Sequence, residues 1–333
     1  MRVGVAGVGR IGTFHADALH RLPQVRSMVV YDPDSLRATR LADRLGIETA
    51  HSVDALLDAG LDGLVIATPT GAHAELIVRG VRAGIPVFCE KPVAPDIEGT
   101  LDTIKQAGDR AIPVQVGFQR RFDSGYCAAR QAVQSGGLGW IHTLRATTLD
   151  PEPPPAEYIA SSGGLFRDCA VHDFDAVRWV TGREAAEVYA LGANRGAEFF
   201  REAGDVDTAS AMLTMDDGAL ALVSNSRYNG AGYDVRLEVL GSLGSISAGL
   251  DDRVPLRSAE TGVGFPAGRP YPGFTERFRS AYEAELAAFL DLAAGGSPEH
   301  PTMEDALEAF YIAEACEVSR ARHEPVRLAE VRR

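Results

Sequence analysis

Asp168, His172 and Asp175 have the residue types and spacing for acid–base chemistry. The segment Gly163–Val180 is predicted to be one helix, and residues three or four positions apart share a helix face. A carboxylate beside an imidazole fixes its tautomer and stabilises the imidazolium, which suits a general base that takes an alcohol proton. An exposed helix face with a capping aspartate is an equal alternative from this segment alone. No third soft or imidazole ligand is evident nearby, so no metal site is expected.

Lys91 is the second group that could take part in chemistry. Glu90-Lys91-Pro92 follows a predicted strand over Pro86–Cys89, so the lysine is expected at the carboxyl end of that strand. Ligands of such sheets bind beyond these ends. An ammonium group there could bind the reacting oxygen and stabilise developing negative charge. The alternative is a surface lysine that ends a strand.

A dinucleotide signature opens the chain. A GxGxxG run directly follows the predicted strand Arg2–Ala6 and begins a predicted helix. Its glycines permit a tight turn, close approach of a pyrophosphate and packing of helix on strand, and the N–H groups at the helix start attract phosphate. The residues predicted to contact a dinucleotide in this run are Gly7, Gly9, Arg10, Ile11 and Gly12.

Asp32 is predicted to choose between the two nicotinamide dinucleotides. It ends the second predicted strand, twenty residues after Gly12. A carboxylate at that place accepts hydrogen bonds from ribose hydroxyls and repels a 2′-phosphate, so NAD is expected and NADP is less favoured. Arg37 on the next helix is interpreted as a solvated residue, with acceptance of NADP as the alternative.

Thr68, Pro69 and His73 follow the fourth predicted strand at its carboxyl end. This position predicts contact with the cofactor. A structural role for His73 is an equal alternative. Glu90 and Lys91, which follow the fifth predicted strand, complete the predicted cofactor contacts.

The predicted elements place these residues in an α/β fold. Over the first 120 residues, β-rich runs alternate with helical patterns, which indicates a parallel, doubly wound Rossmann sheet. Strand patterns without intervening helices then indicate an α+β domain with a large open, mostly antiparallel sheet. We expect a dinucleotide-binding domain over residues 1–120 and a second domain over residues 121–333.

Composition and charge disfavour several classes of function. The chain is 45% hydrophobic and 24% charged, as in an ordinary globular protein. Its net charge of -13 and lack of a Lys/Arg-rich run argue against nucleic acids and anionic membranes. We expect no leader and no membrane helix, because the first residues enter a strand and no apolar run is long enough. Four separated cysteines without a CxxC pair fit a reducing cytoplasm.

The ordered set of motifs resembles the glucose-fructose oxidoreductase/inositol dehydrogenase (Gfo/Idh/MocA) family over nearly the whole chain. The set comprises GxGxxG, Asp32, Ala-Thr-Pro-x-x-x-His, Glu-Lys-Pro and Gly-Gly-x-x-x-Asp-x-x-x-His. Within the family the chain is most similar to the bacterial inositol 2-dehydrogenases. The stretches that carry this are 117–126, 150–158, 172–175, 204–209 and 224–234. Leu149-Asp150-Pro151 stands where the family often has Arg-Asp-Pro, and the segment Gly192–Arg201 also departs from the usual pattern of the family.

The resemblance implies an NAD-dependent dehydrogenase that oxidises one hydroxyl of a cyclitol. By this resemblance His172 takes the proton, Asp168 orients it, and Lys91 contacts substrate and cofactor. Ring hydroxyls would be bound by Arg121, Asp175 and Tyr233. The second domain would bind substrate and, through its sheet, form a homodimer or homotetramer.

Two other functions remain open. One is a hexose or amino-sugar dehydrogenase of the same family, and the other is a nucleotide-bound regulator without turnover. The intact set of Lys91, Asp168 and His172 argues against the regulator, because a protein without catalysis has no chemical need for all three.

Overall fold

The computed structural model describes residues 1–108 and 110–332. Contacts between Cα atoms divide the chain into two units. The first comprises Met1–Gln119 and Ser280–Leu307, and the second comprises Arg120–Arg279 and the segment from Glu308 to the C-terminus. Because residues 280–307 belong to the first unit, neither unit is one continuous stretch of chain.

Parallel strands form the sheet of the first unit. Their bounds are β1 Arg2–Ala6, β2 Ser27–Tyr31, β3 Glu48–Thr49, β4 Gly63–Ile66, β5 Val87–Glu90 and β6 Val114–Gly117. Among the described residues these six strands lie in the order β3-β2-β1-β4-β5-β6, with every pair parallel. The order reverses between β1 and β4, which is the switch point where ligands of such sheets bind. The predicted Rossmann sheet is therefore confirmed.

Helices connect these strands and cover the sheet. They are α1 Arg10–Arg21, α2 Ser35–Leu45, α3 Val53–Leu57, α4 His73–Arg82 and α5 Ile97–Gly108. Ala16 and Leu19 of α1 are buried in one apolar cluster with Val3 and Val5 of β1. Gly46 ends α2 with a φ of 67°, the left-handed conformation typical of a glycine at a helix C-terminus.

The second unit contains a mixed sheet. Its strands are β7 Ile141–Leu149, β8 Ala185–Ala193, β9 Thr208–Met215, β10 Leu220–Ser226, β11 Asp234–Gly241, β12 Ser245–Ala248 and β13 Val326–Arg327. In the described part of this unit the order is β12-β11-β7-β10-β9-β8-β13. The β7–β10 pair is parallel and the other pairs are antiparallel, which confirms the predicted mostly antiparallel sheet.

The remaining helices follow β6 along the chain. They are α6 Ser124–Gln134, α7 Ala156–Ile159, α8 Val171–Thr181, α9 Phe199–Glu202, α10 Phe274–Arg277, α11 Arg279–Ala293 and α12 Met303–Arg322. From Ser280 onward, α11 belongs to the first unit. Its Leu286, Phe289 and Leu290 join the apolar cluster of β1, which explains why this late segment returns to the first sheet.

The prediction of one continuous helix over Gly163–Val180 is wrong. Gly163 and Gly164 have φ values of 84° and 96°, which a right-handed helix does not contain. A π-helical turn then covers Phe166–Ala170 before α8 begins. Asp168 lies in that turn, so the α-helical spacing used for it does not apply. Such turns interrupt regular helices, often at functional sites.

Candidate active site

The glycine run at the start of α1 leaves backbone surface open to a ligand. Gly7 has a φ of 84°. A Cβ at Gly7 would lie 2.7 Å from the Ala67 carbonyl oxygen, and one at Gly12 would lie 1.9 Å from the Gly7 carbonyl oxygen. A Cβ at Gly9, in contrast, would have no described atom within 4 Å. The turn therefore packs tightly on its inner side and leaves space at Gly9, just before Arg10 and Ile11 begin α1, where a pyrophosphate fits.

The Asp32 carboxylate holds this turn against the end of β2. It accepts hydrogen bonds from the backbone N–H groups of Val8 and Asp34, each at 2.9 Å. The half-exposed Arg37 guanidinium lies 3.7 Å from Asp32 and 3.6 Å from Asp34. Asp32 is thus a buried carboxylate beside the phosphate-binding turn, and Arg37 is an ion-pairing residue rather than a purely solvated one.

The segment after β4 presents a hydroxyl beside the same turn. The Thr68 Oγ1 atom is buried and has no hydrogen-bond partner among the described residues. Pro69 is exposed and precedes a short 3-10 turn over Thr70–Ala72. An unpartnered hydroxyl in this place suits contact with a polar ligand. His73, which begins α4, faces two backbone carbonyl oxygens instead.

Glu90 and Lys91 lie at the carboxyl end of β5, as the sequence predicts. Glu90 is the last residue of the strand and pairs with Gly117 of β6. Its carboxylate forms a 2.6 Å contact with the Nε2 atom of His15 from α1. Lys91 is partly buried directly after the strand. All predicted cofactor residues therefore lie at or after the carboxyl ends of neighbouring strands within the first unit.

In the second unit, Asp168 belongs to a cluster of charged and polar groups. Its Oδ2 atom accepts a 2.6 Å hydrogen bond from Arg227, and its Oδ1 atom accepts one of 2.8 Å from the Tyr158 hydroxyl. Arg227 also donates to Asp150 at 2.9 Å. One guanidinium thus joins two carboxylates from separate segments.

Arg227 stays charged within this cluster. Burial alone lowers the pKa of its guanidinium, but the carboxylates of Asp168 and Asp150 raise that pKa above its ordinary value. Cys169 beside the cluster has a raised thiol pKa, mainly because it is buried. Asp168 is therefore a carboxylate that two donors, Arg227 and Tyr158, hold in place, while Cys169 is a protonated thiol.

A second ion pair involves Asp173, the residue that follows His172. Asp173 is fully buried and accepts hydrogen bonds from Arg120, from the Thr148 hydroxyl at 2.9 Å and from the Asn225 amide at 2.7 Å. No role was predicted for Asp173, because on a helix it falls outside the face shared by Asp168, His172 and Asp175. His172, the preceding residue, is half-buried at the start of α8.

Arg121 and Asp175, both predicted to bind substrate, form a buried two-point ion pair. The Nε and Nη2 atoms of Arg121 lie 3.0 and 2.6 Å from the two Asp175 carboxylate oxygens. Tyr233 is also buried, and burial raises the pKa of its phenol well above the ordinary value. The phenol therefore stays a hydrogen-bond donor at neutral pH.

Sequence reasoning missed several polar residues of these clusters. They are His15, Arg120, Thr148, Asp150, Tyr158, Asn225 and Arg227. One local signal was available for Tyr158, because the prolines before it force an extended loop. No group of three or more potential metal ligands occurs among the described residues, and no described helix is long and apolar enough to span a membrane.

Comparisons with known proteins cover both parts of the chain. Residues 1–118 match an oxidoreductase family with an NAD-binding Rossmann fold, and residues 126–247 match the GFO/IDH/MocA C-terminal domain. A myo-inositol dehydrogenase of Streptomyces leeuwenhoekii is 39% identical, across 96% of this chain and 97% of the relative. An inositol 2-dehydrogenase of Rhizobium meliloti is 37% identical, across 99% of each. The solved myo-inositol dehydrogenase of Corynebacterium glutamicum has a TM-score of 0.90 at 36% identity, across 98% of each chain.

The buried pair of Arg120 and Asp173 should be essential for stability. Arg120→Met leaves a buried carboxylate without its cation, so the free energy of unfolding should fall by about 3–5 kcal/mol. Urea denaturation followed by tryptophan fluorescence measures this loss. Arg201→Met is the matched control, because Arg201 pairs with Glu198 on the surface, where ion pairs contribute little. Equal stability of Arg120→Met and wild type would contradict this role of the pair.

Proposed function

The chain belongs to the Gfo/Idh/MocA oxidoreductase family, and from this premise we propose that it oxidises one secondary alcohol of an inositol to a ketone. The first candidate is myo-inositol, which would give 2-keto-inositol. The observation that carries the proposal is similarity over the whole chain, because 96% and 99% of it aligns with two enzymes named for inositol. Lys91, Asp168 and His172 supply the polar groups that the reaction needs.

NAD is the cofactor of this Rossmann fold. The proposed contacts are the helix start at Gly9, Arg10 and Ile11 for the pyrophosphate and the carboxylate of Asp32 for the adenosine ribose. Further proposed contacts are Thr68, Pro69, Glu90 and Lys91. His73 was predicted as a contact too, but both of its ring nitrogens face backbone carbonyl oxygens, so we propose that it supports this segment instead. We assign cofactor binding to residues 1–120, and substrate binding and oligomerisation to residues 121–333.

The proposed chemistry needs a base and a group that stabilises the reacting oxygen. NAD, when bound, accepts the hydride from the alcohol carbon. His172 removes the hydroxyl proton as general base. Asp168, held as a carboxylate by Arg227 and Tyr158, stabilises the resulting imidazolium. Lys91 stabilises the negative charge that develops on the oxygen.

A cyclitol also needs partners for its other hydroxyls. Each hydroxyl that is buried without a hydrogen-bond partner costs about 1–3 kcal/mol. We assign this binding to Arg121, Asp175 and Tyr233. The ion pair of Arg121 and Asp175 fixes two of these groups before substrate arrives, which lowers the entropy lost on binding.

Purified protein should reduce NAD with myo-inositol, faster at mildly alkaline pH, where a histidine base is neutral. NADP should support slower turnover, because the Asp32 carboxylate repels a 2′-phosphate. Initial rates over a panel of inositols, glucose and galactose, with each cofactor in parallel, measure both preferences. No turnover of any inositol would contradict the proposal. Turnover of glucose or galactose alone would indicate a hexose dehydrogenase.

His172→Ala should lower kcat by roughly 10²–10⁴-fold, the range typical of a lost general base. Binding of NADH, measured by fluorescence titration, should stay unchanged, since His172 has no proposed contact with the cofactor. His51→Ala is the control, because His51 is an exposed histidine of the first unit. Turnover of His172→Ala near that of wild type would remove His172 from this role.

We also propose that the exposed face of the second sheet joins copies of this chain. Met212 and Leu222 face each other across β9 and β10, and Tyr189 of β8 continues the row. Met212 is 46% exposed and Leu222 is 43% exposed. Leu191 and Leu220 extend this apolar surface on the same strands. Contiguous exposed apolar surface on one face of a sheet favours association with a second such face.

Light scattering after size exclusion should give a mass that is two or four times the 35.5 kDa of one chain. Leu222→Glu places a charge in the centre of the exposed face, so the mass should fall at the same protein concentration. Leu36→Glu is the control, because Leu36 is an exposed leucine on α2 of the first unit. A monomeric wild type, or an unchanged mass for Leu222→Glu, would contradict this interface.

A cytoplasmic location is the last part of the proposal. It is supported by the four cysteines, none of which forms a disulfide in the described structure, since a reducing compartment keeps thiols reduced. Fractionation of cells that produce the protein tests the location, and recovery outside the cytosol would contradict it.

A further inference from the structure

Lys91 lies between two residues that are each held by a buried histidine. Glu90, directly before it, pairs with His15 of α1. Pro92, directly after it, offers its carbonyl oxygen to His73 of α4. The two histidines come from different helices, so the chain is held on both sides of the lysine by independent elements.

His15 holds the Glu90 side inside an apolar surround. Its Nε2 atom lies 2.6 Å from the Glu90 Oε1 atom, and its side chain is fully buried. The rings of Phe88 and Tyr282 lie against the imidazole with centroids 5.4 and 5.7 Å away. Water can therefore replace the imidazole as the partner of the Glu90 carboxylate only if a cavity opens beside it. A Cβ at Gly117 would lie 3.0 Å from the Glu90 Oε2 atom, so the glycine leaves room for the carboxylate in this position.

His73 holds the Pro92 side. Its Nδ1 atom lies 2.7 Å from the Pro92 carbonyl oxygen and its Nε2 atom 2.8 Å from the Thr68 carbonyl oxygen. The residue is 2% exposed. A neutral ring donates to one of these carbonyls, and a doubly protonated ring donates to both. The ring thus lies between the segments that follow β4 and β5, next to the proposed cofactor contact Thr68.

We propose that His15 and His73 are positioning residues that together fix the backbone at Lys91. His15 ties the lysine to α1, the helix that begins at the glycine turn. His73 ties it to the segment after β4. The inference rests on the proposed function for its kinetic consequence, because it assigns the two histidines to the placement of the Lys91 ammonium. Neither histidine is proposed to touch the reacting atoms.

Precise placement matters because the lysine side chain is long and flexible. Its four-carbon stem carries rotamer freedom, so the direction of the ammonium depends on how firmly its backbone is held. Misplacement of a catalytic group by about 1 Å can cost about 10²-fold in rate. Loss of either histidine should therefore lower kcat more than it weakens the binding of NADH.

Leucine and glutamine variants of each histidine separate hydrogen bonding from packing. His15→Leu and His73→Leu should lower kcat by about 10- to 100-fold. His15→Gln and His73→Gln should recover part of that loss, because the amide N–H can donate to Glu90 or to a carbonyl. His20→Gln is the matched control, since His20 is an exposed histidine on the same helix as His15. Wild-type kcat in both leucine variants would overturn the inference. If a leucine variant does not fold, the glutamine variant at the same position provides the test instead.

A second readout observes Lys91 itself. The whole chain contains only two lysines, Lys91 and the exposed Lys105 of α5. Reductive methylation with ¹³C-formaldehyde therefore gives two lysine resonances beside that of the N-terminal amine, and Lys91→Arg assigns them. In His15→Gln and His73→Gln the Lys91 resonance should shift or broaden while the Lys105 resonance stays in place. An unchanged Lys91 resonance in both variants would overturn the inference.

The two readouts distinguish this inference from the proposed function. A wild type that turns over no inositol would contradict the proposed function, and the Lys91 resonance would still test the positioning. A wild type that turns over an inositol, with an unchanged Lys91 resonance in both glutamine variants, would overturn the positioning alone.

Discussion

Pairing with arginine is the interaction that stabilises three carboxylates of the candidate site in the second unit. A buried charge without a partner costs several kcal/mol, so a carboxylate that is shielded from water is stable only beside fixed partners. Arg227 meets this need for Asp168, Arg120 for Asp173 and Arg121 for Asp175. The same pairs fix the carboxylates in direction. A partly dry and already ordered polar surface of this kind suits a ring that presents a hydroxyl on every carbon.

In the first unit, backbone conformation rather than ion pairing prepares the site for a ligand. Gly7 and Gly12 allow close packing of β1, α1 and the segment after β4, and Gly9 leaves its own surface open. Asp32 then binds the turn through the Val8 N–H group. The flexible dinucleotide thus binds to a turn whose conformation is already fixed before the cofactor arrives. Preorganisation of this kind is what places a hydride acceptor and a base with the precision that rate requires.

Patterns of neighbouring residues predicted much of the fold. Contacts between residues far apart in sequence explain most of what those patterns missed. The GxGxxG turn and the strands β1 and β5 follow from residues close in sequence. Arg227 lies 59 residues from Asp168, and His15 lies 75 residues from Glu90, so no periodicity links these partners. The π-helical turn at Asp168 also escaped prediction, because it needs the preceding glycines to be in left-handed conformations. β3 and β13, of two residues each, are too short to give a pattern.

Transfer of deuterium from labelled substrate is the most direct measurement of the central claim, direct hydride transfer from an inositol carbon to NAD. The protein would be incubated with NAD and myo-inositol carrying deuterium at C2, and the reduced cofactor would be examined by mass spectrometry and proton NMR. The account predicts one deuterium at C4 of the nicotinamide ring and a slower initial rate than with unlabelled myo-inositol, if hydride transfer limits turnover. Reduced cofactor without deuterium, formed from myo-inositol in which every molecule carries deuterium at C2, would contradict this account.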